Sequence, residues 1–273
     1  MPKTRVADIN IYYELRGDGE PLVLIMGLGG GSSMWWKQVD YFSAGFHVIT
    51  FDSRGVGRSD KPDTPYSMGM LVDDAAGLMK ELGIAPAHVY GVSTGGMVAQ
   101  ELALRHPDLV STLILGATTC GGPHAVMADQ ETLQRLFSIM TLSADEAVKV
   151  STSVTFSISF IQRQPEKIKE WVIKGAESPP SRVGFKRQAE AVAGFGTYDR
   201  LPQIKVPTLV LAGTADQLIP AENSRILASR IPNAKLVLFD GAGHGYLWEA
   251  EEEANGVASD FLRQHPIHLV VGT

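Results

Sequence analysis

The run His88-Val89-Tyr90-Gly91-Val92-Ser93-Thr94-Gly95-Gly96-Met97 constrains this chain more than any other stretch. Residues 89–92 carry the β-branched and aromatic side chains of a buried strand, and Met97, Val98, Leu102 and Ala103 then recur at helical spacing until Pro107. Ser93 therefore falls at a strand-to-helix turn, between glycines that let the two elements pass closely. A Gly-x-Ser-x-Gly pentapeptide arises by accident in roughly one glycine-rich chain of this length in five, so the flanking strand and helix carry the specificity. A strained turn of this kind lifts a hydroxyl above the sheet edge, where it is placed to react.

The rest of the chain repeats the same alternation. Residues 5–15 alternate as strands, a turn at 17–21 leads into the apolar run 22–26, and residues 46–52 form another strand after a helix opening near Met34-Trp35-Trp36. Residues 68–82 predict an amphipathic helix closed by Gly83, and residues 112–117 one more buried strand. Strands separated by helices imply an α/β fold with a mainly parallel sheet covered on both faces. At Gly121-Gly122-Pro123 the alternation stops. Residues 125–198 hold helical segments but no buried strand, which predicts an inserted helical cap over 122–199 between a first core part, 1–121, and a second, 200–273. The alternation resumes with strand 208–212, helix 221–230, strand 235–239 and a closing helix over 246–263, and the tail from His265 has no evident role.

Composition narrows the function classes. With 273 residues, 44% hydrophobic and 20% charged, and a net charge of −6, the chain has no electrostatic footprint for nucleic acid. The single cysteine, Cys120, has no internal disulfide partner, residues 1–10 lack a signal-peptide pattern, and no apolar run approaches the ~20 residues that span a bilayer. These features predict a cytoplasmic protein, monomer or homodimer, with no membrane or nucleic-acid partner. His47, His88, His106 and His124 show no metal-ligand spacing, and Gly29-Gly30-Gly31 lacks both the P-loop ending and the dinucleotide fingerprint, so neither a metal nor a cofactor is expected.

A serine hydroxyl needs a base and a group that orients the base. Asp216 follows the strand ending at Ala212, and His244 follows the strand ending at Phe239, so parallel strands bring both to the sheet edge that carries Ser93. Asp240, closer to His244 in sequence, is the alternative acid; the acid belongs on a different strand end from the base, which favours Asp216.

With these residues in hand, the chain resembles a serine hydrolase of the α/β-hydrolase superfamily, similar over nearly its whole length to the capped carboxylesterases and lactonases. The matching pieces are Met26-Gly27-Leu28-Gly29-Gly30, Asp52-Ser53-Arg54-Gly55-Val56-Gly57-Arg58-Ser59, Gly91-Val92-Ser93-Thr94-Gly95-Gly96, residues 216–220 and Gly243-His244. The resemblance implies Ser93 as nucleophile, His244 as general base and acid, Asp216 as its orienting partner, and the backbone N–H groups of Leu28 and Thr94 as oxyanion donors. It also implies that Asp52 and Arg54 are scaffold. The chain departs from the family pattern at Met26, where histidine is usual, and at Thr94, where methionine is frequent; neither change removes a backbone donor.

The implied reaction is hydrolysis of a small-molecule carboxylic ester or lactone through an acyl-enzyme on Ser93. Carbon–carbon bond hydrolases, amidases and cofactor-free haloperoxidases share this machinery, and a small-molecule receptor is the non-enzymatic alternative, distinguished by a lack of turnover. Apolar residues near the oxyanion loop (Met26, Trp35, Trp36) and in the cap (Met127, Phe137, Met140, Phe156, Phe160) are the candidate pocket. The cap's Arg163, Lys167, Lys169 and Lys174 sit in polar clusters that read as a solvated face. A neutral, largely apolar acyl group is therefore expected, a class that includes acyl-lactones such as acyl-homoserine lactones.

Overall fold

A computed structural model describes residues 2–179 and 181–267. In chain order the strands are β1 (Lys3–Val6), β2 (Ile9–Arg16), β3 (Glu20–Ile25), β4 (Phe46–Phe51), β5 (Ala87–Val92), β6 (Val110–Gly116), β7 (Thr208–Gly213) and β8 (Lys235–Phe239). The helices are α1 (Trp36–Phe42), α2 (Met68–Glu81), α3 (Thr94–Arg105), α4 (Gln130–Ser138), α5 (Ala144–Thr155), α6 (Ile158–Arg163), α7 (Pro165–Glu177), α8 (Arg182–Ala193), α9 (Glu222–Arg230), α10 (Tyr246–Glu249) and α11 (Glu251–Arg263).

The strands form one sheet in the order β1-β2-β4-β3-β5-β6-β7-β8. The first two run antiparallel to their neighbours, and the six from β4 to β8 pair in parallel. Buried strands such as β5 and β7, with every residue inside, are what a sheet covered on both faces requires. One apolar cluster, including Val23, Val89, Leu102 and Leu113, lies on one face of the sheet; a second, including Trp35, Tyr90, Ile114 and Tyr246, lies on the other. From β3 the chain crosses one way to β4 and then the other way to β5, so the strand order reverses between β3 and β5. Such a reversal opens a crevice at the carboxyl ends of the two strands.

Local chemistry sets the element ends. Ser67 caps α2 by accepting the Met70 N–H at 3.2 Å, and Gly83 follows with φ of +65°. Among the described residues between β6 and β7 the chain makes only helices, α4 to α8, apart from short turns. It leaves and re-enters the core at a neck where Gly121 bridges Gly196 and the Thr197 N–H donates to the Cys120 carbonyl at 2.8 Å. The closing segment is two helices, not the single one expected over 246–263: the backbone breaks at Ala250 (φ −108°, ψ 40°), where the preceding Glu249 turns its carboxylate back to the Gly243 N–H. Of the tail, Ile267 donates its N–H to Glu20 at 2.7 Å, and residues 268–273 lie outside the described part. Among the described residues no helix is long and apolar enough to cross a membrane.

Candidate active site

Ser93 sits between β5 and α3 with φ of +57° and ψ of −123°, a conformation that costs a non-glycine residue about 1–3 kcal/mol. The surroundings hold it there. Its N–H donates to the Gly116 carbonyl at 2.8 Å, and its own carbonyl accepts from Thr118 Oγ1 at 2.7 Å and from the Gly96 and Met97 N–H groups. The flanking glycines are obligatory for packing: a Cβ at Gly95 would lie 2.0 Å from the Ile25 carbonyl oxygen, and one at Gly91 would lie 2.2 Å from the Gly95 carbonyl oxygen. The turn is thus wedged against the end of β3, beside the strand-order reversal.

Opposite the serine, residues 27–30 turn back on themselves. The Gly30 N–H donates to the Gly27 carbonyl at 3.0 Å, with Gly29 at φ +70°, and a Cβ on Gly27 would touch Ser93 Cβ at 2.9 Å. The N–H groups of Leu28 and Thr94 have no hydrogen-bond partner among the described residues. Thr94 is the first residue of α3, so its N–H also lies at the positive end of the helix.

The loops after β7 and β8 are sewn together: Ala215 N–H donates to the Ala242 carbonyl at 2.8 Å, and Thr214 N–H to the Phe239 carbonyl at 3.0 Å. This puts Asp216 Oδ2 2.8 Å from His244 Nδ1, with the Asp216 side chain fully buried. Asp216 Oδ1 accepts the Leu218 and Ile219 N–H groups at 2.9 and 2.8 Å. A carboxylate only accepts, so Nδ1 carries the proton and Nε2 is left free. Asp240 is exposed and takes a hydrogen bond from Thr214 instead. Among the described residues the hydrogen bonds of Ser93 all run through its backbone, which leaves Oγ unpaired. Tyr246, two residues past His244, ties the histidine loop to the serine strand. Its hydroxyl lies over Gly116 and shares a 2.7 Å hydrogen bond with Tyr90 of β5. Burial pushes both phenols far up, so the pair is neutral.

The structure separates the candidate pocket residues. Trp35 is fully buried, its ring 5.3 Å from that of Tyr90, so it packs the core instead of facing a ligand. Trp36 stacks on Trp248 and bonds Glu170, while Phe160 stacks on Phe156, which meets Trp171 and Trp248 and so joins α5 and α6 to the core as one aromatic cluster. Phe137 and Met140 line a groove of about 530 Å³ between α4 and α8 whose walls include none of Ser93, Asp216 and His244. Met127 is 66% exposed. Met26 is buried with its side chain against Gly30, and its backbone adjoins Gly95.

Three residues with no sequence signal adjoin the site. Thr118 holds the Ser93 carbonyl. Glu249 accepts the N–H groups of Gly243 and Ser157 at 2.9 Å each, linking the histidine loop to α6. Gln188, in a run that reads as a polar helix face, accepts the Gly29 N–H at 3.0 Å.

Comparison with known proteins agrees with this fold. The family described as "alpha/beta hydrolase fold" matches residues 20–251. A protein of Azorhizobium caulinodans named "Putative carbamate hydrolase RutD" is 30% identical, covering 90% of this chain and 92% of its own. The 2-hydroxy-6-oxo-6-phenylhexa-2,4-dienoate hydrolase of Comamonas testosteroni is also 30% identical, over 95% of this chain and 93% of its own. The crystal structure of the enol-lactonase from Burkholderia xenovorans LB400 superposes with a TM-score of 0.85 at 28% identity, covering 96% of this chain and 100% of the other. A serine wedged at the strand-order reversal, a histidine–carboxylate pair on the same sheet edge and a family match over most of the chain have one common explanation: this protein belongs to the α/β-hydrolase fold family and is a hydrolase.

Proposed function

We propose that the chain is a serine hydrolase that cleaves a carboxylic ester or lactone with a neutral, largely apolar acyl group. Ser93 Oγ attacks the carbonyl carbon as His244 Nε2 takes its proton, and Asp216 holds the imidazole in the tautomer that leaves Nε2 free. The negative charge that develops on the carbonyl oxygen is received by the Leu28 and Thr94 N–H groups, where one donor can be worth about 3 kcal/mol. The C–O bond breaks, the leaving alkoxide takes the proton from the imidazolium, and an acyl-Ser93 ester remains. Water then attacks this ester, giving one proton to His244, which returns it to Ser93 Oγ as the acid departs.

The observation that carries the reading is the Asp216–His244 hydrogen bond at 2.8 Å on the sheet edge that displays Ser93 in its left-handed turn. The apolar acyl group is supported by Met26, whose backbone adjoins Gly95 of the serine turn, and by Phe156, whose ring lies 2.9 Å from where a Gly245 Cβ would be, next to His244. We read the helical insertion as a cap over this edge. The enol-lactonase likeness favours lactones, while the relatives' names bring carbamates and carbon–carbon substrates into the same test.

That test is a multiple-turnover panel of aryl esters of increasing acyl length, simple and acylated lactones, a carbamate and a vinylogous diketone, with Ser93→Ala as the blank. Ester or lactone turnover should be abolished in Ser93→Ala. Lengthening the acyl chain from two to about six carbons should raise kcat/KM more than tenfold, at about 0.8 kcal/mol per buried methylene. Preference for the carbamate or the diketone would replace the substrate assignment, and binding without turnover would make the protein a receptor.

A further inference from the structure

We infer that Gln188, on the cap helix α8, is a positioning residue that holds the oxyanion loop in its working conformation. The inference rests on reading the Leu28 N–H as an oxyanion donor. Residues 27–31 contain four glycines, so nothing in the local sequence favours one loop conformation. Two contacts fix it. The Gly30 N–H donates to the Gly27 carbonyl at 3.0 Å, with Gly29 at φ +70°, as in a type II turn whose third residue has positive φ. In a planar trans peptide the carbonyl and the N–H point in opposite directions. With the Gly27 carbonyl engaged inside the turn, the Leu28 N–H of the same peptide faces outward, and the Gly27 backbone abuts Ser93.

The second contact comes from the cap. Gln188 Oε1 accepts the Gly29 N–H at 3.0 Å, which pins the corner of the turn and so fixes where the whole 27–30 loop, the Leu28 N–H included, sits against Ser93. Its Nε2 donates to the Arg54 carbonyl at 2.9 Å, so the amide is anchored on scaffold at its other end. The amide's orientation is unambiguous, because an N–H can only donate and a carbonyl only accept. Gln188 is 3% exposed and Gly29 is buried, so bulk water does not substitute for the lost bond. Neighbouring contacts press α8 onto the same place: Ser181 Oγ donates to the Gly55 carbonyl at 3.0 Å, and Gly184 packs so closely on Gly55 that a Cβ would lie 1.9 Å from its oxygen. The cap is thereby coupled to transition-state stabilisation as well as to substrate enclosure.

Gln188→Met keeps the length of the side chain and removes both hydrogen bonds. Its kcat on the best ester or lactone of the panel should fall at least about tenfold, bounded by the roughly 10²–10³-fold cost of losing an oxyanion donor outright, with KM changed by less than about twofold. The Ki of a trifluoromethyl ketone, which forms an oxyanion on Ser93, should rise in proportion to the fall in kcat/KM. Gln188→Glu, which retains an acceptor for the Gly29 N–H, should lie between wild type and Gln188→Met, and carries the same comparison if the methionine variant does not fold. Lys186→Ala, which removes a 68% exposed side chain from the same helix, should leave kcat unchanged. A Gln188→Met kcat within about threefold of wild type, or in either Gln188 variant a loss confined to KM with an unchanged trifluoromethyl ketone Ki, overturns the inference. Ester hydrolysis surviving in Ser93→Ala would instead overturn the reading on which it rests.

Discussion

Replacing Asp216 by asparagine separates orientation of the histidine from mere packing beside it. Asp216 Oδ1 is claimed by two backbone donors, Leu218 and Ile219, at 2.9 and 2.8 Å, and Oδ2 by His244 Nδ1 at 2.8 Å. An asparagine has one oxygen. Keeping both backbone donors satisfied puts that oxygen at the Oδ1 position and turns the NH₂ group towards Nδ1. Nδ1 must then accept, the ring proton moves to Nε2, and the nitrogen that should take the serine proton is blocked. The alternative flip rescues the histidine but leaves two donors in a buried pocket without an acceptor, at about 1–3 kcal/mol each. The expected fall in kcat/KM is about 10⁴-fold, equivalent to about 5.5 kcal/mol of transition-state stabilisation. Asp216→Ala leaves the imidazole free to choose its tautomer, so the isosteric asparagine should be at least as slow as alanine. Steady-state kinetics on the best panel substrate gives the ratio, and ¹⁵N-edited NMR of the His244 ring reports which nitrogen is protonated. An asparagine variant within about tenfold of wild type, or one with Nδ1 still protonated, would refute the tautomer argument.

Other outcomes follow from the same contacts. Gly95→Ala forces a Cβ to within 2.0 Å of the Ile25 carbonyl oxygen, so a loss of about 3 kcal/mol or more is expected in urea unfolding; near-wild-type stability would mean the turn is not wedged against β3. Arg54, 2% exposed, bonds both the buried Asp74 and the 58% exposed Asp8, so Asp74→Ala should cost about 3–5 kcal/mol and Asp8→Ala under about 1. Equal costs for the two would contradict that division. Burial holds His88 below its ordinary pKa, against the opposing pull of Glu20, so the unfolded chain binds its proton more readily than the native state. That contribution is present above about pH 6.5 and is lost as the pH falls through the unfolded value towards the lower native one. Denaturation at pH 7.5 and 5.5 should show a smaller loss on acidification in His88→Gln than in wild type, and identical losses would argue against a neutral buried imidazole.

Much of the fold is legible because it is written in local pattern. The strand of residues 89–92, the serine turn and the following helix are read from side-chain type and glycine placement alone. So is the point near Gly121 where the strands stop. Apolar identity, by contrast, says that a side chain avoids water without saying what covers it. Trp35 and Trp36 are adjacent and chemically alike, yet one fills the core on Tyr90 and the other stacks on Trp248. Phe156 seals the joint under the histidine loop, while Phe137 is 52% exposed on a separate groove.

By itself, then, the sequence determined the alternation of strands and helices, the helical insertion, and the placement of Ser93, Asp216 and His244 after strand ends in that order. Each of these depends on periodicity and turn chemistry within a few residues. Only the tertiary structure decided that β7 lies beside β8, which gives His244 to Asp216 and leaves Asp240 with Thr214, and that α8 brings Gln188 to Gly29, 159 residues away in the chain. Pairings of that separation are set by how the sheet orders its strands and how the helices close over it. A hydrogen bond made by a single polar side chain leaves no periodic trace in the chain on either side of it.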